Sequence, residues 1–212
     1  MGPDRPRGRF ITLEGGEGAG KTTLSRALSA ALADAGLPVL RTREPGGAPG
    51  AEAVRALILG QGPWDPIAEA MLHFAARREH VARTIEPALE AGIWVVCDRF
   101  ADSTLAYQGA GQGLSREVWE RLCDLALGTL RPSLTLVLDL PPDRGMGRAL
   151  SRGEVNRYEM QGTDFHMRVR AAFLAIAAQE PERCAVIDAS RPPQEVLQRA
   201  LATIQERLEV TA

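Results

Sequence analysis

The sequence predicts an α/β fold: an open parallel sheet with helices on both faces. Three observations carry that reading. Strand-like and helix-like segments alternate along the 212 residues. Three strand candidates, at 93–97, 134–138 and 185–187, are nearly continuous apolar runs, as strands covered on both faces require. The first strand runs into Gly15-Gly16-Glu17-Gly18-Ala19-Gly20-Lys21-Thr22, a full match to the phosphate-loop pattern G-x4-G-K-[ST].

The elements follow in order. Residues 9–13 read as a strand rich in β-branched and aromatic types. Residues 22–35 read as a helix with Leu24, Ala27, Leu28, Ala31 and Leu32 on one face. A strand at 39–42, a helix at 51–59 and one long helix at 66–91 come next. The strand at 93–97 is followed by a helix at 116–128, the strand at 134–138 by helices at 144–151 and 164–178, and the strand at 185–187 by a helix at 193–210. Residues 1–8 read as a tail, and 9–212 as a single domain.

Composition narrows the classes. The 45% hydrophobic and 25% charged content is ordinary globular usage, and a net charge of −2 gives no basic field for nucleic acid. No apolar run approaches the roughly 20 residues of a membrane span. The first nine residues lack the apolar centre of a secretory signal. Cys97, Cys123 and Cys184 are odd in number and lack metal-ligand spacing, which suits a reducing, cytoplasmic compartment. His73, His80 and His166 share no ligand spacing.

Lys21 is the one lysine beside 24 arginines. A compact ammonium on a flexible stem reaches the β- and γ-phosphates where a planar guanidinium would not fit. The glycines let backbone N–H groups turn inward on phosphate, and Thr22 offers a hydroxyl to Mg²⁺. Residues Gly15 to Thr23 are therefore the expected ATP cradle.

In such sheets ligands bind beyond the carboxyl ends of the strands. Arg43-Glu44-Pro45-Gly46-Gly47 follows the second strand and Asp98-Arg99-Phe100 the third. Asp98 stands where phosphate-loop proteins hold a carboxylate near Mg²⁺. Arg99 suits a bidentate contact with an acceptor phosphate, or an ion pair with a neighbour. Phe74 and Arg78 are four apart on a helix and could stack on and bond a nucleobase. Taken alone, such a pair is more often a core ring beside a surface cation. Arg144, Arg148 and Arg152 recur every four residues, with Arg157 beyond, and could close over triphosphate or form a solvated basic face.

In series, Leu13 to Thr23, Arg43 to Gly47, Phe74 to Arg78, Cys97 to Phe100, Ser103-Thr104 and Ala106 to Gly109 resemble thymidylate kinase. The resemblance implies a phosphate-loop kinase with a five-stranded parallel sheet, usually a homodimer, converting Mg·ATP and thymidine monophosphate (dTMP) to ADP and the diphosphate. It implies that Phe74 stacks on thymine, Arg78 bonds its edge, and Thr104 lies near the base. Tyr107 crowds the sugar, Gln108 lies near the acceptor nucleotide, and Arg99 holds its phosphate. Glu17 faces the 3′-hydroxyl or the metal waters, and Glu44 joins the acceptor site. Lys21, Arg99 and the lid arginines Arg148, Arg152 and Arg157 are the implied catalytic cations, with Thr22 and Asp98 toward the metal and a lid near 144–160. Basic residues in the lid and none at 17–19 resemble the bacterial-type branch. Phe100, Ala48 and Gln112 depart from the usual Tyr or His, Thr and Arg. A guanine-reading switch protein is excluded, because Asn-Lys-x-Asp needs a second lysine. A regulatory ATPase, or a kinase for another nucleoside monophosphate, stays open.

Overall fold

The computed structural model describes residues 6–60, 62–150 and 157–208. Five strands, β1 (Phe10–Gly15), β2 (Val39–Arg43), β3 (Trp94–Asp98), β4 (Leu134–Asp139) and β5 (Cys184–Asp188), form one sheet in the order β2-β3-β1-β4-β5. Every pairing is parallel, so all carboxyl ends open at one edge. The strand that feeds the phosphate loop lies at the centre.

The helices are α1 (Lys21–Asp34), α2 (Pro49–Gly60), α3 (Pro66–His80), α4 (Glu86–Glu90), α5 (Ala101–Thr104), α6 (Arg116–Leu127), α7 (Pro142–Leu150), α8 (Thr163–Gln179) and α9 (Pro193–Leu208). Successive side chains of β1 point to opposite faces. Ile11 and Leu13 meet Leu24 and Leu28 of α1 and Ala200 and Ile204 of α9. Phe10 meets the layer built from Phe74, Ile85 and Leu89 with Ala126 and Leu127 of α6. A third cluster gathers Tyr107, Phe165, Val169 and Phe173 beside Val137 of β4. Polar residues inside β1 are partnered: Thr12 Oγ1 meets Thr135 Oγ1 at 2.7 Å.

Local signals set the helix ends. Asp65 accepts from Ile67 N at 2.9 Å and Ala68 N at 3.1 Å, with Pro66 opening α3. Ser115 caps α6 by accepting from Val118 N at 3.3 Å.

Two departures from the sequence reading have physical causes. The helix expected over 66–91 is broken into α3 and α4 by a π turn, Val81–Ile85. Pro87 has no N–H to give back to the preceding turn, and a wider turn absorbs that defect. Residues 101–111 were not expected to be helical, yet α5 runs into a second π turn, Leu105–Gly111. Gly109 and Gly111 lower local propensity there, and the Phe100 side chain has no capping oxygen. Tertiary partners described below hold it instead. Among the described residues no helix is long and apolar enough to cross a membrane.

Candidate active site

At the carboxyl edge of the sheet a cleft of about 1170 Å³ reaches from α1 and the start of α9, across the phosphate loop, to α3. The loop turns through left-handed glycines, with φ of 66° at Gly18 and 92° at Gly20. α1 has no side-chain cap and no acidic residue in its first turn. Its free N–H groups and partial positive charge are therefore left for an anion. A Cβ on Gly18 would overlap the carbonyl oxygen of Gly145, and one on Gly145 would overlap that of Glu17. The two glycines let α7 lie directly on the loop.

Lys21 Nζ donates to Gly15 O at 3.0 Å and Gly16 O at 2.7 Å. Arg99, with φ of 72°, donates from NH1 to the same Gly15 O at 3.3 Å and from NH2 to Glu17 Oε1 at 2.7 Å. The lone ammonium and the guanidinium after β3 thus share one acceptor. Tyr107 OH donates to Glu17 Oε1 at 2.8 Å and accepts from Arg99 NH2 at 3.1 Å. Thr22 Oγ1 donates to Asp98 Oδ2 at 2.7 Å.

Burial pushes the Glu17 carboxyl up, but Arg99, Lys21 and Tyr107 outweigh it and hold the group at about 2. Burial, with Arg99 beside it, pushes the Lys21 ammonium down to about 8. Burial also opposes the Arg99 charge, yet Tyr107 and Glu17 more than compensate and raise its pKa. Near neutral pH the centre thus sets two cations, Lys21 and Arg99, among the carboxylates of Glu17 and Asp98, with the cations placed to meet phosphate oxygens. Among the described residues no three His, Cys, Asp or Glu side chains form a metal cage. Thr22 and Asp98 instead offer one hydroxyl and one carboxylate. That sparse donor set suits magnesium, which keeps waters and takes phosphate oxygens.

The other end of the cleft is built by α3. Glu69, His73, Arg77 and His80 fall along one face of it. Arg77 is 2% exposed. It donates to Glu44 Oε2 at 2.6 Å, Thr104 Oγ1 at 3.2 Å and Phe100 O at 3.0 Å. His80 Nδ1 meets the other Glu44 oxygen at 3.0 Å. Glu69, fully buried, accepts from Gln108 Nε2 at 2.7 Å, Gln112 Nε2 at 3.1 Å and Tyr158 OH at 2.8 Å, and pairs with Arg157. Tyr158 OH in turn meets His73 Nε2 at 3.0 Å. Burial, with Arg77 and Arg157 adding to it, pushes the His73 imidazole down to about 3, so the ring is neutral at working pH.

The structure brings Lys21, Thr22, Glu44, Asp98, Arg99, Thr104, Tyr107 and Gln108 to this one cleft. It does not bring Phe74 or Arg78. Phe74 is 3% exposed and packs in the core beneath α3. Arg78 points away, donating to Ala126 O at 2.8 Å and to Glu86 Oε2 at 2.9 Å. One residue along a helix is about 100° of rotation, enough to carry a side chain from cleft to core. The four-residue spacing survives with His73 and Arg77, which both line the cleft, in place of Phe74 and Arg78.

Of the lid arginines, Arg148 lines the cleft and donates to Ala189 O at 3.2 Å. Arg152 lies outside the described residues. Arg157 does not reach the phosphate loop; its guanidinium is drawn to the buried Glu69 carboxylate and lies 4.7 Å over the Tyr158 ring. Beyond the loop the cleft continues along Arg191 and Gln194 to Ala27 of α1, so residues following β5 also face it.

A family model described as thymidylate kinase matches residues 13–200. A thymidylate kinase of Rhodopseudomonas palustris (strain TIE-1) is 50% identical over 208 residues, covering 95% of this chain and 90% of the relative. One from Caulobacter vibrioides is 51% identical over 185 residues, covering 86% and 89%. The crystal structure of thymidylate kinase from Ehrlichia chaffeensis superposes with a TM-score of 0.79 at 33% identity, covering 94% of this chain and all of that one.

Proposed function

This chain belongs to the thymidylate kinase family, and we infer that its cleft transfers the γ-phosphoryl group of ATP to thymidine monophosphate, giving the diphosphate for dTTP synthesis. The observation that carries the reading is the meeting of Lys21 and Arg99 on the carbonyl of Gly15. Two cations, one from the phosphate loop and one from the turn after β3, face a single point from the donor and acceptor sides.

The acceptor oxygen is already anionic, so the transfer needs no strong general base; positioning and charge neutralisation do the work. The loop Gly15 to Thr23 cradles the donor phosphates, with Lys21 following the transferred group. Arg99 holds the acceptor phosphate. Arg77, Thr104, Gln108 and the neutral ring of His73 form the base end, while Tyr107 and Glu17 flank the sugar and Glu44 keeps Arg77 in place. Thr22 and Asp98 would hold Mg²⁺, which when bound neutralises phosphate charge. Residues 9–212 act as one domain with a lid near 144–160. There Arg148, and Arg152 by the sequence reading, approach the donor phosphates. Arg157 braces the base of the lid. Three free, buried thiols, Cys97, Cys123 and Cys184, support a cytoplasmic setting.

The test is ADP release measured with thymidine, uridine, cytidine, adenosine and guanosine monophosphates in turn. Thymidine monophosphate should give the highest kcat/KM; no stimulation by it would overturn the reading.

A homodimer is part of the same reading. Leu57 near the end of α2, and Ile67 and Met71 at the start of α3, stay 42%, 48% and 57% exposed, on two helices that pack against each other. Sedimentation should give twice the chain mass, and Met71→Glu should shift the population toward monomer. A wild-type protein sedimenting as a monomer at micromolar concentration would reject the dimer.

A further inference from the structure

The turn that aims Arg99 is held by a residue far from it in sequence. Arg99 is the one described non-glycine residue with positive φ, at 72°. A side chain in that region is uncommon and persists where neighbours over-determine it. The carbonyl groups around the turn are taken up by several partners. Arg77 donates to Phe100 O at 3.0 Å, Trp119 Nε1 to Ala101 O at 3.0 Å, and the Cys97 thiol to Arg99 O at 3.1 Å. The N–H groups are taken up differently. Glu14 Oε1 accepts from Phe100 N at 2.7 Å and from Ser103 N at 3.3 Å, while Ser103 Oγ donates to Glu14 Oε2 at 2.5 Å.

Phe100 is the N-cap of α5 and Ser103 its third residue. These are the two N–H groups that a capping box satisfies with two local side chains. Here the N-cap is a phenylalanine, and a single carboxylate from the central strand does both tasks. Glu14 is fully buried and does not line the cleft.

We propose that Glu14 is the positioning residue for Arg99: by capping α5 from β1 it fixes the left-handed turn and sets the guanidinium against the acceptor phosphate. The proposal rests on the assignment of Arg99 to that phosphate. It does not require Glu14 to touch either nucleotide.

The surroundings of Glu14 make the role visible in solution. Asp102 on α5, itself paired with Arg183 at 2.7 Å, faces the carboxyl from one side, and Arg99 and Lys21 from the other. Burial, with the Asp102 charge adding to it, lifts the group from the ordinary 4.5 to about 7, against the pull of Ser103 and Arg99. The ionised form accepts all three hydrogen bonds at full strength; the protonated form resembles a neutral amide.

The experiment compares kcat/KM for thymidine monophosphate in wild type and Glu14→Gln across pH. Ionisation of the acceptor phosphate and of Lys21 acts on both enzymes and largely cancels in the ratio. The ratio should be roughly tenfold above about pH 8, the size of a lost helix cap, and fall toward one below about pH 6. A ratio that does not vary with pH overturns the proposal. In an Arg99→Ala background Glu14→Gln should add less than about twofold, since its effect runs through Arg99. Wild-type kcat/KM in Arg99→Ala itself would instead sink the assignment of Arg99, a separate result. Should Glu14→Gln fail to fold, Asp102→Asn gives the test. Removing that charge should move the rising limb of the wild-type profile to lower pH, and an unmoved limb counts against Glu14.

Discussion

Lys21→Met will reduce kcat by roughly 10²–10³-fold, the scale seen when one preorganised donor to developing charge is removed from an enclosed site. Methionine keeps the length and apolar character of the stem and removes only the ammonium. The fold should survive, because Leu24 and Leu28 rather than Lys21 anchor α1 to the sheet. Lys21→Arg should recover little. In the free enzyme one tetrahedral nitrogen reaches two adjacent loop carbonyls, at 3.0 and 2.7 Å, and a flat guanidinium cannot occupy that point. Turnover assays on both variants, with melting curves as a control, check this. A kcat within tenfold of wild type in Lys21→Met would remove the donor half of the proposed site.

Arg77→Met should act on stability and binding together. Arg77 and Glu44 are a buried pair with 2% and 3% of their side chains exposed, joined at 2.6 Å. Removing the cation leaves Glu44 with the His80 imidazole as its remaining side-chain partner. Breaking such a pair costs about 3 kcal/mol or slightly more. That corresponds to a fall of roughly 6–12 °C in Tm for a chain of this size. Thr104 and the Phe100 carbonyl lose a donor as well, so KM for the acceptor should rise about tenfold or more. Arg78→Ala is the companion measurement. Its salt bridge to Glu86 is half exposed, worth about 1 kcal/mol at most, and its effect on acceptor KM should be within twofold. Equal KM effects from the two substitutions would mean that the register of α3 has been misread.

That register is where the sequence reading fell short. Both 73/77 and 74/78 satisfy the four-residue rule, and the sequence reading considered only the second, which carries the aromatic ring. Burial decides between them, and burial is tertiary information. A clue was present nonetheless. Glu69, His73, Arg77 and His80 recur at helical spacing on a helix whose other positions include Ala70, Phe74 and Ala76, a polar stripe on an element packed against the core. The phosphate loop, by contrast, was legible because its chemistry is local: eight consecutive residues carry the turn, the cation and the hydroxyl. The strand order of the sheet's apolar runs was less so, although their parallel character followed from composition. α5 could not be read from its own residues, since its cap comes from Glu14, 86 positions earlier than Phe100. The orientation of Arg157 depends in the same way on Glu69, which no nearby residue announces.

The stripe on α3 also bears on how selectivity arises. Glu44 and Glu69 already hold Arg77, Gln108 and Tyr158 in hydrogen bonds, and Tyr158 holds the imidazole of His73. These rotamers are frozen before any nucleotide arrives, so their conformational entropy is lost during folding and not again on association. A base that fits meets a rigid mould at little further entropic cost. One that does not must break buried ionic hydrogen bonds to make room, so discrimination at this end of the cleft is steric and enthalpic in origin.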